Sequence, residues 1–234
     1  MAQIWALVRQ FDWSPFWISL KTGVAATVIC FFLGLWVARA VTRLGPKSRA
    51  VVDGILTLPM VLPPTVAGFF LLLLFSLRRP LGAFLYESWG IQVVQTWLGC
   101  VIAASVISFP LMYRNARAAF DLVDRNLIYA ARTLGMPEGK IFWRVVLPAA
   151  GPGVTSATVL TFARALGEYG ATAMLAGNIA GKTGTISQRI ANVMKDGDYL
   201  TAGVWAVIMI LLALIILVAV NWLAGGRSGR KRRR

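Results

Sequence analysis

Five long apolar stretches, separated by polar and basic intervals, limit most strongly how this chain can fold. They lie at about residues 16–38, 51–77, 91–112, 149–175 and 200–222. Each has at least 22 residues, and about 20 apolar residues in a helix cross the hydrocarbon core of a bilayer. Hydrophobic residues make up 58% of the 234-residue chain, more than a soluble domain of this size can bury. We therefore predict an all-α integral membrane protein with five transmembrane helices in a single domain, residues 1–234.

The distribution of basic residues predicts the orientation of these helices. If the interval 113–148 lies in the cytoplasm, 16 of the 24 Lys and Arg residues fall on the inner side and 6 on the outer side. The inner set includes a C-terminal run of Arg227, Arg230, Lys231, Arg232, Arg233 and Arg234. Because cytoplasmic loops are enriched in Lys and Arg, the N-terminus is expected outside and the C-terminus inside. The net charge of +15 is thus explained by basic residues that orient the helices in the membrane, and we expect no nucleic-acid partner.

The residue types present argue against catalysis on this chain. It has no histidine, and its two cysteines, Cys30 and Cys100, lie within apolar stretches. We expect both cysteines to fill apolar space, and we expect no metal site or catalytic triad. The sequence Gly181-Lys182-Thr183 resembles the end of a phosphate-binding loop, but the required first glycine is Ala176. The chain is therefore expected to be neither an enzyme nor a nucleotide binder.

The polar interval 113–148 predicts two short helices joined by a tight turn, and we call residues 124–148 the knob. Asp124 is placed to cap the first helix. Apolar residues recur at helical spacing at Leu127, Ala130, Ala131 and Leu134. Gly135 predicts a left-handed stop, and Pro137 opens a second helix that ends at Pro148. The knob is either a compact connection between membrane helices or a docking element for a soluble partner.

Two further features lie at predicted membrane depth. Pro63, Pro64 and Thr65 fall in the second stretch, where prolines break the helical hydrogen bonds. They predict either a simple kink or a bend that lines a transport pathway near a dimer axis. Arg164 and Glu168 are four residues apart, on one face of the fourth predicted helix. They form either a structural ion pair or a site where Arg164 meets an oxyanion, for which its planar fork is suited.

The knob resembles the cytoplasmic signature of ABC-importer permeases. The residues that carry this resemblance are Tyr129, Ala130, Ala131, Gly135, Ile141, Leu147 and Pro148. Tyr129 stands where the signature has a glutamate. The resemblance implies that these residues couple the membrane subunit to a separate ATPase.

The wider sequence is similar to molybdate-importer permeases. The matching segments are residues 62–68 (LPPTVAG), 108–112 (SFPLM), 130–135 (AARTLG) and 162–172 (FARALGEYGAT). The resemblance implies a homodimer in the bacterial cytoplasmic (inner) membrane, two cytoplasmic ABC ATPase subunits that use ATP and Mg, and an extracytoplasmic oxyanion-binding protein. It also implies translocation of molybdate or tungstate by alternating access.

Two alternatives follow from the same sequence. Sulfate or thiosulfate permeases share many of these motifs, so another oxyanion is possible as substrate. An ion-coupled secondary carrier is the rival from another class, with Lys21, Asp53, Arg164 and Glu168 as sites for coupling ions. ATP dependence of uptake separates the carrier from the importer.

Overall fold

The computed structural model describes residues 12–228, with side chains described through residue 218. Its helices are α1 (Ser14–Val41), α2 (Pro46–Val61), α3 (Pro64–Phe75), α4 (Pro80–Trp89), α5 (Trp97–Asp121), α6 (Arg125–Thr133), α7 (Glu138–Ala149), α8 (Gly151–Leu166), α9 (Gly170–Ala176), α10 (Ile186–Lys195) and α11 (Tyr199–Ser228). This confirms the predicted all-α class. The basic run at residues 230–234 lies outside the described residues, as does the side chain of Arg227.

Three of the described helices, α1, α5 and α11, are long and apolar enough to cross a membrane by themselves. Two bent pairs raise this number to five if each pair counts as one span. The pair α2 and α3 is bent by 105°, and the pair α7 and α8 by 73°. The predicted number of five spans and the predicted orientation remain predictions.

Helix α5 differs from the predicted third stretch at both ends. It begins at Trp97, after an extended Thr96, and continues nine residues beyond the predicted end at residue 112. Pro110 lies inside the helix and does not end it. The extension is held by tertiary packing, because its residues Ala116 and Phe120 are buried in the core. The predicted polar interval 113–148 therefore starts as a helix, and the knob begins only after α5.

The fourth stretch is two helices, because α8 ends at Leu166 and α9 begins at Gly170. The polar intervals also contain helices that were not predicted. Helix α4 ends at Gly90, which has a left-handed backbone with φ of 65°. Helix α10 begins with a capping box between Thr185 and Gln188.

The largest buried cluster joins α1, α5, α8 and Phe142 of α7. Small residues allow these helices to approach closely. A Cβ atom added to Gly153 of α8 would lie 2.6 Å from the Cβ atom of Ala119 in α5, and such contacts are typical of helix packing in lipid. Cys30 and Cys100 are free and fully buried, which confirms their predicted role as apolar fillers.

Candidate functional site: the knob and the helix breaks

The first helix of the knob has the predicted cap and the predicted stop. An Asp124 carboxylate oxygen accepts a hydrogen bond from the Asn126 N–H at 2.9 Å. Gly135 adopts a φ of 72°. Its N–H donates to the Arg132 carbonyl at 2.9 Å, and the Met136 N–H donates to the Ala131 carbonyl at 3.1 Å. This paired pattern closes α6 in the way a left-handed glycine does.

The second helix of the knob does not end at Pro148 as predicted. Residues Phe142–Val146 form a wider turn, in which the Leu147 N–H donates to the carbonyl of Phe142, five residues back. Pro148 has no N–H, and its ring crowds the carbonyl four residues before it, so the helix widens. The change of direction follows at Ala150, between α7 and α8.

An ion pair joins the two helices of the knob across the Gly135 turn. The Nε atom of Arg132 lies 2.6 Å from a carboxylate oxygen of Glu138. This hydrogen bond from Arg132 is the main reason why the pKa of the Glu138 carboxyl is lowered. Because the pair is exposed to solvent, we expect it to hold the turn's geometry more than to add stability.

Buried side chains anchor the knob to the helix bundle. Ile141 is 1% exposed, and Ala131 is also buried. Phe142 packs edge-to-face on Phe120 of α5, with 5.4 Å between ring centroids. The guanidinium of Arg39, at the end of α1, lies over the Phe142 ring at 4.2 Å from its centroid. Two of the predicted coupling residues, Ala131 and Ile141, therefore position the knob from inside.

Four of the other five predicted coupling residues face outward. Tyr129, Ala130, Gly135 and Pro148 are exposed, and Leu147 is half-buried. The knob also carries four large apolar side chains, Leu127, Tyr129, Leu134 and Trp143, which we call the knob surface. Each of these four is exposed, Leu134 by 81%. Four exposed large apolar side chains on one short segment outside the predicted spans favour an interface with another protein.

The break between α2 and α3 lies beside the break between α8 and α9. α2 ends before an extended Leu62, and Pro64 is the first residue of α3, which confirms the predicted bend at the prolines. A Cβ atom added to Gly170 would lie 2.9 Å from the Cβ atom of Pro64 and 3.2 Å from the Thr65 nitrogen. The start of α9 is therefore pressed against the start of α3.

Arg164 and Glu168 form the predicted ion pair, but not on one helix. Glu168 follows the end of α8 and is 3% exposed. One carboxylate oxygen lies 2.8 Å from Nη1 of Arg164, and the other accepts the Ala171 N–H at 2.8 Å. The carboxylate thus ties α8 to α9 across the break. The Arg164 side chain remains 37% exposed.

Sequence reasoning missed a charge cluster between α2 and α5. An Asp53 oxygen accepts hydrogen bonds from the Tyr113 hydroxyl and from Arg117. Arg49 and Asp121 lie 2.7 Å apart and extend the cluster. The local signals were Tyr113, Arg117 and Asp121 at spacings of four on α5, because the other partners are at least 60 residues away in the chain.

Comparison with known proteins shows the family of the chain. Residues 30–225 match the family described as binding-protein-dependent transport system inner membrane component. Over 222 residues the chain is 39% identical to the molybdenum transport system permease protein ModB of Escherichia coli strain K12, covering 94% of this chain and 96% of that protein. It is 32% identical to the sulfate transport system permease protein CysT of Salmonella typhimurium strain LT2, covering 96% and 85% of the two chains.

A solved structure has the same fold. The chain superimposes on the MetNI methionine ABC transporter in an inward-facing conformation with a TM-score of 0.73 and 20% identity, covering 96% of this chain and 97% of that chain. The family match spans most of the chain, and the sequence relatives cover nearly all of it. The chain therefore belongs to the binding-protein-dependent transport system inner membrane components, and it is a transport subunit of the inner membrane, not an enzyme.

Proposed function

We propose that this chain is the membrane subunit of an ATP-driven importer that carries molybdate or tungstate. The observation that carries the proposal is the 39% identity, over 94% of the chain, to a molybdenum transport system permease. In this proposal two copies form a homodimer. Two cytoplasmic ATPase subunits hold ATP and Mg, and an extracytoplasmic binding protein delivers the oxyanion.

The knob is proposed to transmit the ATPase movement. Its exposed residues Tyr129, Ala130, Gly135 and Pro148 contact the ATPase, together with the other residues of the knob surface. Its buried residues Ala131 and Ile141 keep the two short helices together, and half-buried Leu147 lies at the widened turn. Because Phe142 packs on Phe120 of α5, a displacement of the knob moves the helix bundle. Closure of the ATPase pair then opens the dimer outward, and hydrolysis returns it to the inward-facing state.

The pathway is proposed to run along the helix breaks, past Pro63, Pro64 and Thr65. Arg164 is the residue proposed to meet the oxyanion there. Its guanidinium makes one hydrogen bond among the described residues, to Glu168, so further N–H groups are available to an oxyanion. Glu168 is the fixed counter-ion that holds Arg164 in place when the pathway is empty.

The dimer is proposed to form through α2. No residue of this helix is buried in the single chain. Val51, Ile55 and Val61 are apolar and more than 60% exposed. A second copy packed near the bend would cover part of this surface and would place the two sets of prolines close to a common axis.

A sulfate-type oxyanion is the second candidate substrate, because the chain is also 32% identical to a sulfate permease. Uptake of labelled molybdate by cells that lack this chain, with and without its restored expression, tests the choice. We expect uptake to depend on the chain, to resist excess sulfate and to fall with excess tungstate. Competition by sulfate as strong as that by tungstate would favour the sulfate candidate.

The ion-coupled carrier is not favoured. The family to which the chain belongs is binding-protein-dependent, whereas a carrier of this kind works alone. Asp53 and Glu168, two of its proposed ion sites, are already paired with Arg117 and Arg164.

A further inference from the structure

A pocket of about 310 Å³ lies between the C-terminal end of α1 and the knob. We call it the basic pocket, because four arginines line it: Arg39, Arg43, Arg125 and Arg132. They come from two separate parts of the chain, since two lie at the end of α1 and two in α6. Residues that converge from distant parts of a sequence form a shaped site, unlike a run of charge along one helix face.

The positive charge of the pocket is only partly balanced. Its two acidic lining residues are Asp121 and Glu138. Asp121 forms an ion pair with Arg49, at 2.7 Å, and Arg49 does not line the pocket. Glu138 is engaged by Arg132 through Nε. Arg43 and Arg125 form no ion pair with any residue from 12 to 218, so the pocket keeps an excess of positive charge.

The pocket is also partly preorganised. The Arg39 guanidinium lies over the buried Phe142 ring, and the Glu138 carboxylate fixes Arg132. The charges of Arg132, Arg43 and Arg39 all contribute to lowering the pKa of Glu138, after the hydrogen bond from Arg132 itself. The charges of three of the four arginines therefore act on the same carboxylate, that of Glu138. Guanidinium groups already held in place lose less entropy when they bind an anion.

We propose that the basic pocket binds a phosphate group, carried either by an anionic phospholipid or by a free phosphate anion. Arginine recognises phosphate through paired N–H donors. Arg39 lies in the last turn of α1, a helix that can span the membrane, so the pocket lies near the depth of lipid headgroups. Basic pockets between helices at this depth bind anionic headgroups. The inference does not depend on which oxyanion the protein transports.

The test compares ligands on the purified full-length chain. Native mass spectrometry measures retention of phosphatidylglycerol and phosphatidylcholine, and calorimetry measures binding of inorganic phosphate. The test variant is Arg43→Gln/Arg125→Gln, since neither residue has an ion pair among residues 12–218 and the fold should persist. The control is Arg78→Gln/Arg79→Gln, an exposed pair outside the pocket with the same loss of charge.

We expect the chain to retain phosphatidylglycerol over phosphatidylcholine. The test variant should bind phosphatidylglycerol about twenty-five-fold more weakly, since each of the two arginines lost from the pocket should contribute about fivefold. The control should bind as the unaltered chain does. If inorganic phosphate binds the chain and the test variant weakens that binding as much as it weakens lipid binding, the ligand is a free phosphate anion. If the chain binds only phosphatidylglycerol, the ligand is a lipid. Equal losses in both variants would overturn the proposal, as would a test variant that loses ATPase binding and keeps both ligands.

Discussion

At the scale of single residues, Gly135 shows how a backbone conformation carries a proposed function. Its φ is 72°, and an added Cβ atom would meet no atom within 4 Å. Space is therefore available for a side chain, and only the left-handed backbone disfavours one. A β-branched residue in this conformation costs about 1–2 kcal/mol.

We predict that Gly135→Val uncouples ATP hydrolysis from transport, because the turn between the two knob helices must shift to a right-handed conformation. Gly135→Asn should keep most of the coupling, since asparagine tolerates the left-handed region. The control is Gly139→Val, a helical glycine of the knob with equally open surroundings. The measurement is the ratio of ATP hydrolysed to molybdate transported. An unchanged ratio in Gly135→Val would show that the turn does not transmit the signal.

The second prediction separates the structural role of Arg164 from its proposed role in the pathway. Arg164→Gln should lose transport and lower stability by about 1–3 kcal/mol, because it leaves the buried Glu168 carboxylate without its cation. Arg164→Gln/Glu168→Gln should recover the stability, since glutamine still accepts the Ala171 N–H, but it should not recover transport. Thermal unfolding and uptake measure the two effects. Full transport by the double variant would exclude Arg164 as an oxyanion contact.

At the scale of helices, local signals predicted what local chemistry determines. Asp124, Gly135 and Pro137 specify the start, stop and restart of the knob within a few residues, and the structure has all three features. The same kind of signal was present but unused before α10, where Thr185 and Gln188 have the spacing of a capping box. Its two hydrogen bonds are formed.

We predict that Thr185→Ala loosens α10, because it removes the acceptor for the Gln188 N–H at the start of the helix. The cost should be about 1 kcal/mol. Hydrogen exchange of the first turn of α10 should become about fivefold faster, which is the same free energy expressed as an opening equilibrium. Ser187→Ala is the control, since its hydroxyl makes no hydrogen bond among the described residues. Equal exchange in the two variants would show that the cap does not hold the helix.

Other helix boundaries depend on packing that the sequence does not display. α5 continues past residue 112 because Ala116 and Phe120 find partners on other helices. The fourth stretch breaks after Leu166 because the Glu168 carboxylate binds the Ala171 N–H and Arg164. Hydropathy alone does not show either contact. The third predicted helix was therefore too short at its end, and the fourth continued past the break after Leu166.

At the scale of the whole molecule, three contacts among the described residues join elements that are far apart in sequence. Phe120 and Phe142 join the knob to the bundle, Pro64 and Gly170 bring the helix breaks together, and Asp53 and Arg117 tie α2 to α5. The first contact holds the predicted knob on the bundle, and the second involves Pro64 of the predicted bend, while the function of both places remains a prediction. The third was missed, because ion pairs between distant segments leave no periodic pattern.

The proposed dimer makes a prediction at this scale. Val61 is 79% exposed at the end of α2, so Val61→Cys should form a disulfide between two copies in membranes. Ile210→Cys on α11, also highly exposed, is the control and should stay monomeric on a non-reducing gel if α11 faces lipid. The native Cys30 and Cys100 are fully buried and should not react. Cross-linking of Ile210→Cys alone would place the dimer contact on α11.

The central claim is that ATP hydrolysis on the partner ATPase drives oxyanion import by this chain and that the knob transmits the ATPase movement. The energy source of uptake tests this claim most directly. Labelled molybdate uptake is measured in cells with and without the chain, once with an ionophore that dissipates ion gradients while ATP is maintained, and once with ATP depleted. We predict that chain-dependent uptake survives the ionophore and stops when ATP is depleted. Uptake that stops with the ionophore while ATP remains high would contradict the account and favour an ion-coupled carrier.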